Sequence, residues 1–411
     1  MYTYLKQAIL MLCAAVLFAG SAHAQIKVAV IEPLTGPFAN VGDYVVKSLR
    51  EIADETNAAG GLLGGQKVEI QAFDSKGSPQ EALSALQAAI DQGVRYVTQG
   101  TSSAIAGALV DALNKHNDRN PDKAVLFLDF AAMDPDLTNA KCSFWHFRFL
   151  PHTDMKMESL TNYMAMDKSI SKVYIIGQDY AHGHQVAKAA STMLPKKRPD
   201  IKIVGNEFHP LGKVKDFSPY IAKIKASGAD TVVSGNLGND LVLLVKAARE
   251  AALNVKFYTY FAGLLGTPTA MGESGTDHVY QITEWHMNAS PNKYEQFALK
   301  FKKKHGIEPF TMQLNKQMQM FFKAVADAKS ADPVKVALAL EDMRIKDGTD
   351  DLWMRKADHQ LVEPLLISVF TKAGAAGVKY DVENTGFGFK TVAAIAKPDV
   401  PTSCAMKRPG M

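Results

Sequence analysis

The chain has 411 residues, too many for one ordinary hydrophobic core, so two lobes are expected. It is 47% hydrophobic and 21% charged, which excludes both a disordered chain and one built of membrane spans. A net charge of +4 gives no reason to expect nucleic acid, and the basic runs Lys196–Arg198 and Lys302–Lys304 read as solvated surface.

Residues 1–24 read as a cleavable export signal. Lys6 is their one positive charge, the stretch from Ala8 to Ala19 is apolar, and Ala22-His23-Ala24 fits an A-x-A cleavage site. That apolar stretch is short for a membrane span, and no small residues precede Cys13 as a lipoprotein signal requires, so a soluble exported protein is expected. Two cysteines remain, Cys142 and Cys404. In an oxidising compartment such a pair favours a disulfide over two buried thiols. On the entropic model its long loop would contribute about 4–5 kcal/mol.

From Ile26 onward, β-rich runs alternate with amphipathic helical patterns. Strands are predicted at Ile26–Ile31, Val68–Phe73, Val94–Thr98 and Ala124–Asp129, with helices over Val41–Ala58, over Pro79–Gln92 and in the Ala-rich stretch after Ser103 that places Ile105, Leu109 and Leu113 on one face. A second series has strands at Val173–Gly177, Ile201–Glu207, Thr231–Ser234 and Lys256–Phe261. Its helices start near Gly183, at Phe217 and at Asn239. This rhythm means βα units and parallel sheets: two Rossmann-like α/β lobes, joined near Phe144–Phe149. The remainder, a strand at His278–Ile282, helices at Tyr294–His305, Met312–Lys329 and Pro333–Met343, and a hairpin of Leu365–Phe370 with Val378–Val382, completes those lobes.

Catalytic and cofactor motifs are missing. The turn after the first strand, Glu32-Pro-Leu-Thr-Gly-Pro37, is no dinucleotide fingerprint, and Gly60–Gly65 lies between a helix and a strand as a stop and turn. No phosphate loop and no G-x-S-x-G elbow occur, so no enzyme activity and no cofactor are expected. His182-Gly183-His184 lacks a third placed metal ligand, and Met312, Met318 and Met320 beside Phe321 and Phe322 read as helix core. Asp134-Pro135-Asp136 reads as a turn and cap.

One pattern points to a site. Gly100 with Thr101, Ser102 and Ser103 sits between a strand and a helix, where hydroxyls and free N–H groups meet the positive end of the helix dipole. That suits a carboxylate, although a serine there is also an ordinary N-cap. The other loops at the carboxyl ends of the strands carry glycines, hydroxyls, amides and aromatics but no acid–base pair. Capture of a small molecule between two lobes fits them better than catalysis.

Ile31-Glu-Pro-Leu-Thr-Gly-Pro-Phe38, Asn57-Ala-Ala-Gly-Gly-Leu-Leu-Gly64, Asp134-Pro-Asp-Leu-Thr138 and Gln178-Asp-Tyr-Ala-His-Gly183 resemble the type I periplasmic binding proteins. The branch they resemble most serves leucine/isoleucine/valine-type ABC importers. The resemblance implies three crossings between lobes, near Arg148, near Trp285 and in or before the terminal hairpin. It places residues 25–147 with about 286–360 in one lobe, 148–285 with about 361–395 in the other, and 396–411 as a tail. It also implies a monomer that hands a small ligand to membrane permease subunits.

By position, the family's carboxylate-binding serine matches Ser102, with Thr101 and Ser103 beside it, and its ligand loop matches Ala131, Ala132 and Met133. The cleft aromatic matches His182, with Tyr180 nearby. The second-lobe aromatic falls near Asn236, and the acid that pairs with the ligand's ammonium falls near Phe261. The family's threonine is thus Met133 and its acid is Phe261, so the amine-reading groups are absent while the anion end is kept. The ligand expected is a carboxylate lacking an α-amino group, with Phe261, Tyr180 and Met133 around its body. The alternatives are an ordinary branched-chain amino acid and a sensor that presents its ligand to a membrane receptor.

Overall fold

The computed structural model describes residues 25–347, 350–398 and 400–410; the export signal expected over residues 1–24 lies outside them. Two sheets organise the chain. The first is built on β1 (Ile26–Glu32), β2 (Val68–Asp74), β3 (Tyr96–Gln99), β4 (Leu126–Asp129) and β5 (His146–Arg148), parallel and in the order β2-β1-β3-β4-β5. The second repeats that order with β6 (Lys172–Gln178), β7 (Lys202–His209), β8 (Thr231–Ser234), β9 (Lys256–Thr259) and β10 (Val279–Thr283), again parallel, as β7-β6-β8-β9-β10. In each lobe the order reverses between its first and third strands. That reversal opens the crevice where α/β proteins take ligands.

The helices cover both faces. In the first lobe, α1 (Ala39–Ala58), α2 (Pro79–Asp91) and α3 (Ser103–Arg119) follow strands in turn. Val41, Val45 and Leu49 sink one stripe of α1 into a core with Leu126, Leu128 and Phe147, while α2 and α3 pack Leu86, Ile105 and Leu109 on the other face. In the second lobe, α4 (Thr153–Met166), α5 (Ala181–Lys197), α6 (Ser218–Ser227), α7 (Asn239–Glu250) and the short α8 (Thr267–Met271) do the same. The chain then returns as α9 (Glu295–His305), α10 (Gln313–Asp327) and α11 (Pro333–Leu340), which bury Phe301, Met318, Met320, Phe321 and Leu340 in the first lobe's core. The methionine group is core.

Several expectations need correction. The hairpin partner of β14 (Leu365–Lys372) is β15 (Phe387–Ile395), not Val378–Val382, which lies in the segment between them. Helix α4 was not foreseen. It buries Met155, Lys156, Met157, Ser159, Leu160, Thr161 and Met164 around its circumference, so its sequence shows no amphipathic stripe. Three short strands, β11 (Arg344–Asp347), β12 (Asp350–Arg355) and β13 (Gln360–Val362), extend the first sheet beyond β5. Arg148 and Leu361–Val362 therefore belong to the first sheet. The chain crosses between sheets after Arg148, after Thr283 and between Val362 and Leu365. Beyond Ile395 the tail returns to the first lobe, where Cys404 is bonded to Cys142 with a Cα–Cα distance of 5.7 Å.

Candidate functional site

The first lobe's edge is formed by the carboxyl ends of β1, β3 and β4. The chain after β3 turns into α3 through Gly100, where a Cβ would lie 2.7 Å from the Ala131 nitrogen, so only glycine lets these loops approach. Ser102 caps α3, its Oγ accepting from the Ile105 N–H at 3.4 Å. Ser103 Oγ accepts from the Asp134 N–H at 3.2 Å and so joins the helix start to the loop of Ala131, Ala132 and Met133.

A residue not foreseen as functional fills part of this edge. Glu32, fully buried at the end of β1, accepts from the Gly100 N–H at 2.8 Å, the Thr101 N–H at 3.2 Å and the Thr101 hydroxyl. Burial pushes its carboxyl up to about 7 against those hydrogen bonds. Thr101, expected to read the ligand, thus serves an internal carboxylate. The pairing of β1 with β3 creates this contact, and nothing local in either segment announces it.

The loop 131–134 is held in the same way. Asp129 accepts from the N–H groups of Ala131 at 3.0 Å and Ala132 at 2.8 Å, and from His146 at 3.1 Å. Arg148, fully buried, donates to the carbonyls of Ala132 and Asp134, to Thr138 and to Gln360 Oε1 at 2.7 Å. Desolvation lowers its guanidinium to about 10, still charged at neutral pH. Ala132 is buried, and Met133 is not a cleft wall: its side chain packs with Leu150, Met157 and Leu160 of the second lobe's core.

The second lobe's edge is aromatic. Gly183, in the first turn of α5, is required because a Cβ would lie 2.0 Å from the Gln178 carbonyl oxygen. That turn presents His182, whose ring lies 6.0 Å from Tyr180, 5.5 Å from Tyr260 and 5.3 Å from Phe261. The Thr153 hydroxyl donates to the Met133 carbonyl at 3.0 Å, so His182 Nδ1 donates to Thr153 Oγ1 at 3.2 Å. This assigns Nε2 as an acceptor; it is buried without a partner. Desolvation first, then Lys156, lowers the imidazole to about 3, so it is neutral. Burial likewise raises the Tyr180 and Tyr260 phenols.

Asn236 takes no part in this group. It is fully buried, and its amide is used by His209 Nε2 at about 3 Å, which closes it off from the cleft. His184 pairs with Asp179 at 2.8 Å on the surface, and among the described residues no cluster of three His, Cys, Asp or Glu side chains is disposed to hold a metal ion. The two edges meet at Met133 and Asp134: Thr153 N–H donates to the Met133 carbonyl at 3.1 Å, and Gln185 donates to Asp134 at 2.7 Å.

Two lobes of one strand order that meet at Met133 and Asp134, with a capped helix on one edge and an aromatic group on the other, fit a ligand-capturing protein rather than a catalyst. Residues 25–375 match the family model described as periplasmic binding protein, and the chain belongs to that family. It is 35% identical over 418 aligned positions to Leu/Ile/Val-binding protein homolog 4 of Brucella abortus (strain 2308), covering 97% of each chain. Among solved structures it is similar to the closed leucine-, isoleucine-, valine-, threonine- and alanine-binding protein of Brucella ovis, at 31% identity and a TM-score of 0.85, covering 94% of this chain and 100% of that one. A solute-binding protein of Rhodopseudomonas palustris BisB5, in complex with 3,4-dihydroxy benzoic acid, shares the fold at 17% identity and a TM-score of 0.77, covering 92% of this chain and 99% of that one. The homologues are substrate-binding components of ABC transporters, not enzymes, and this chain is of the leucine/isoleucine/valine type.

Proposed function

We propose that this protein is exported to the periplasm, binds as a monomer a small carboxylate lacking an α-amino group, and delivers it to the permease of an ABC importer. The supporting observation is the state of the carboxylates in the cleft loops and at their strand ends. Glu32, Asp129, Asp134 and Asp179 are each engaged by protein donors, and the segment from Phe261 to Gly266 carries no acid. A ligand ammonium would have to share one of these carboxylates or use Asp154 at the start of α4, and enclosed without either it would cost several kcal/mol. The anion end keeps Ser102 and the start of α3, and the neutral rings of Tyr180, His182 and Phe261 suit an apolar or aromatic body. His182 Nε2, an acceptor, would take a hydroxyl from such a body.

A second reading, an ordinary leucine, isoleucine or valine receptor, is favoured by the names of the relatives reported above. Isothermal titration of the mature protein with 4-hydroxybenzoate, benzoate and L-leucine separates the two. The first reading expects heat with the aromatic acids and none with leucine; heat with leucine alone overturns it.

A further inference from the structure

The segment joining β14 to β15, residues 373–386, starts at the end of the second sheet remote from the cleft, since Val369 pairs with Tyr280 and Leu366 with Thr283. It does not stay there. It runs back beside the sheet, where Tyr380 N–H donates to Asn288 Oδ1 and Asn288 Nδ2 donates to the Tyr380 carbonyl, both at 2.8 Å, on the second crossing. From there it reaches the first lobe. Lys379 pairs with Glu295 of α9 at 2.9 Å, and the Tyr380 hydroxyl donates to the same carboxylate. Lys302 donates to Asn384 Oδ1 at 3.0 Å, and the Glu383 N–H donates to Glu308 at 3.1 Å.

The Glu383 side chain turns the other way. Its carboxylate accepts from the Gly266 N–H at 2.6 Å, the Thr269 N–H at 2.9 Å and the Thr269 hydroxyl. Gly266 ends the loop that leaves β9 at its cleft end and carries Phe261, and Thr269 lies in the first turn of α8, which that loop leads into. Leu264 and Leu265 of that loop pack against the first lobe's core. Glu383 therefore sits where a strap, a cleft loop and the opposite lobe meet.

The backbone gives an independent sign. Glu383 and Asn384 have φ of 55° and 56°, and the Thr385 N–H donates to the Val382 carbonyl at 3.1 Å. This is a turn with two consecutive left-handed residues, where glycine or asparagine is relaxed and glutamate is not. The carboxylate's three hydrogen bonds offset that strain.

We infer that residues 379–384 form a closed-state latch, with Glu383 the positioning residue that couples the Phe261 loop to the first lobe. The inference does not rest on which acid is bound. Pulsed electron paramagnetic resonance between spin labels at Lys115→Cys and Lys196→Cys, one on each lobe, reads the opening directly in the full mature chain with its disulfide intact. Glu383→Asn keeps a residue at ease in the left-handed turn but is too short to hold both Gly266 and Thr269; Glu295→Ala removes the Lys379 and Tyr380 anchors at the other end and leaves those of Lys302 and Glu308. Glu383→Asn should raise the open population by about threefold and Glu295→Ala by less, and the double variant should go no further than Glu383→Asn, because both act on one linkage. Glu383→Gln, which keeps the reach, should lie between. Unchanged distances with a lowered melting temperature, additive single effects, or a wild-type chain already open would each overturn the latch.

Discussion

At the first lobe's edge, Glu32, Asp129 and Arg148 take up the donors and acceptors of the loops at 100–103 and 131–134. At the second lobe's edge, Tyr180 and Phe261 each meet the His182 ring in tilted or edge-on contact, and His182 Nε2 is left without a partner. The difference is one of preorganisation. The first edge has its loop backbone held by buried charged side chains and offers a ligand the start of α3 and the buried, unpartnered amide of Gln99, whereas an aromatic edge has few directional bonds to break when a ring shifts. Anion capture on a rigid edge, followed by enclosure of the body by an adaptable one, is the sequence of events this asymmetry supports.

The comparison can be broken most forcefully at Arg148. Arg148→Met takes the buried donor from two carbonyls and from Thr138, each at about 1–3 kcal/mol with the lower end expected where the site relaxes, while Gln360 Oε1 keeps the Thr138 hydroxyl at 3.3 Å. A loss of roughly 3–5 kcal/mol is expected, seen as a fall of on the order of 10 °C in the melting temperature, with ligand affinity reduced in whatever folded protein remains. A fall of only a degree or two would mean that Arg148 does not organise the first edge.

The two edges should also titrate in opposite directions. His182 is lowered from 6.5 to about 3 in the fold, so the unfolded chain binds the extra proton between those values, and its contribution to stability is lost as pH falls through them. His182→Phe keeps ring contacts and cannot titrate. Relative to that variant, the wild type should lose up to about 4 kcal/mol between pH 7 and pH 3.5. Glu32 is raised from 4.5 to about 7, so there the folded state holds the extra proton and stability falls as pH rises through that window. Glu32→Gln should remove a penalty of about 3 kcal/mol at pH 8, less whatever its amide cannot accept. Denaturant melts of both variants against wild type from about pH 3.5 to pH 8 check the signs; slopes of the same sign would erase the contrast between the edges.

Much of the architecture was legible because β1 to β4 and β6 to β9 alternate with helices whose apolar stripes follow the helical period. Helix α4 was not, since a helix buried on all sides carries no stripe, and the hairpin was mispaired because Gly386 and Gly388 made Phe387–Ile395 look like loop. At the site, Ser102 was readable as a cap because capping is local. Glu32 seizing Thr101, His209 closing off Asn236 and Met133 turning into the opposite core all depend on neighbours far away in sequence.

The most direct measurement is a calorimetric titration of the mature protein and its Ser102→Ala variant with 4-hydroxybenzoate and with L-leucine at pH 7. The account predicts that the aromatic acid binds, that leucine does not, and that Ser102→Ala weakens the acid by about tenfold while costing only about 1 kcal/mol of stability as a lost cap. Leucine binding at micromolar concentration while the aromatic acid stays silent would contradict it, and would assign the ammonium a partner that the engaged carboxylates do not supply.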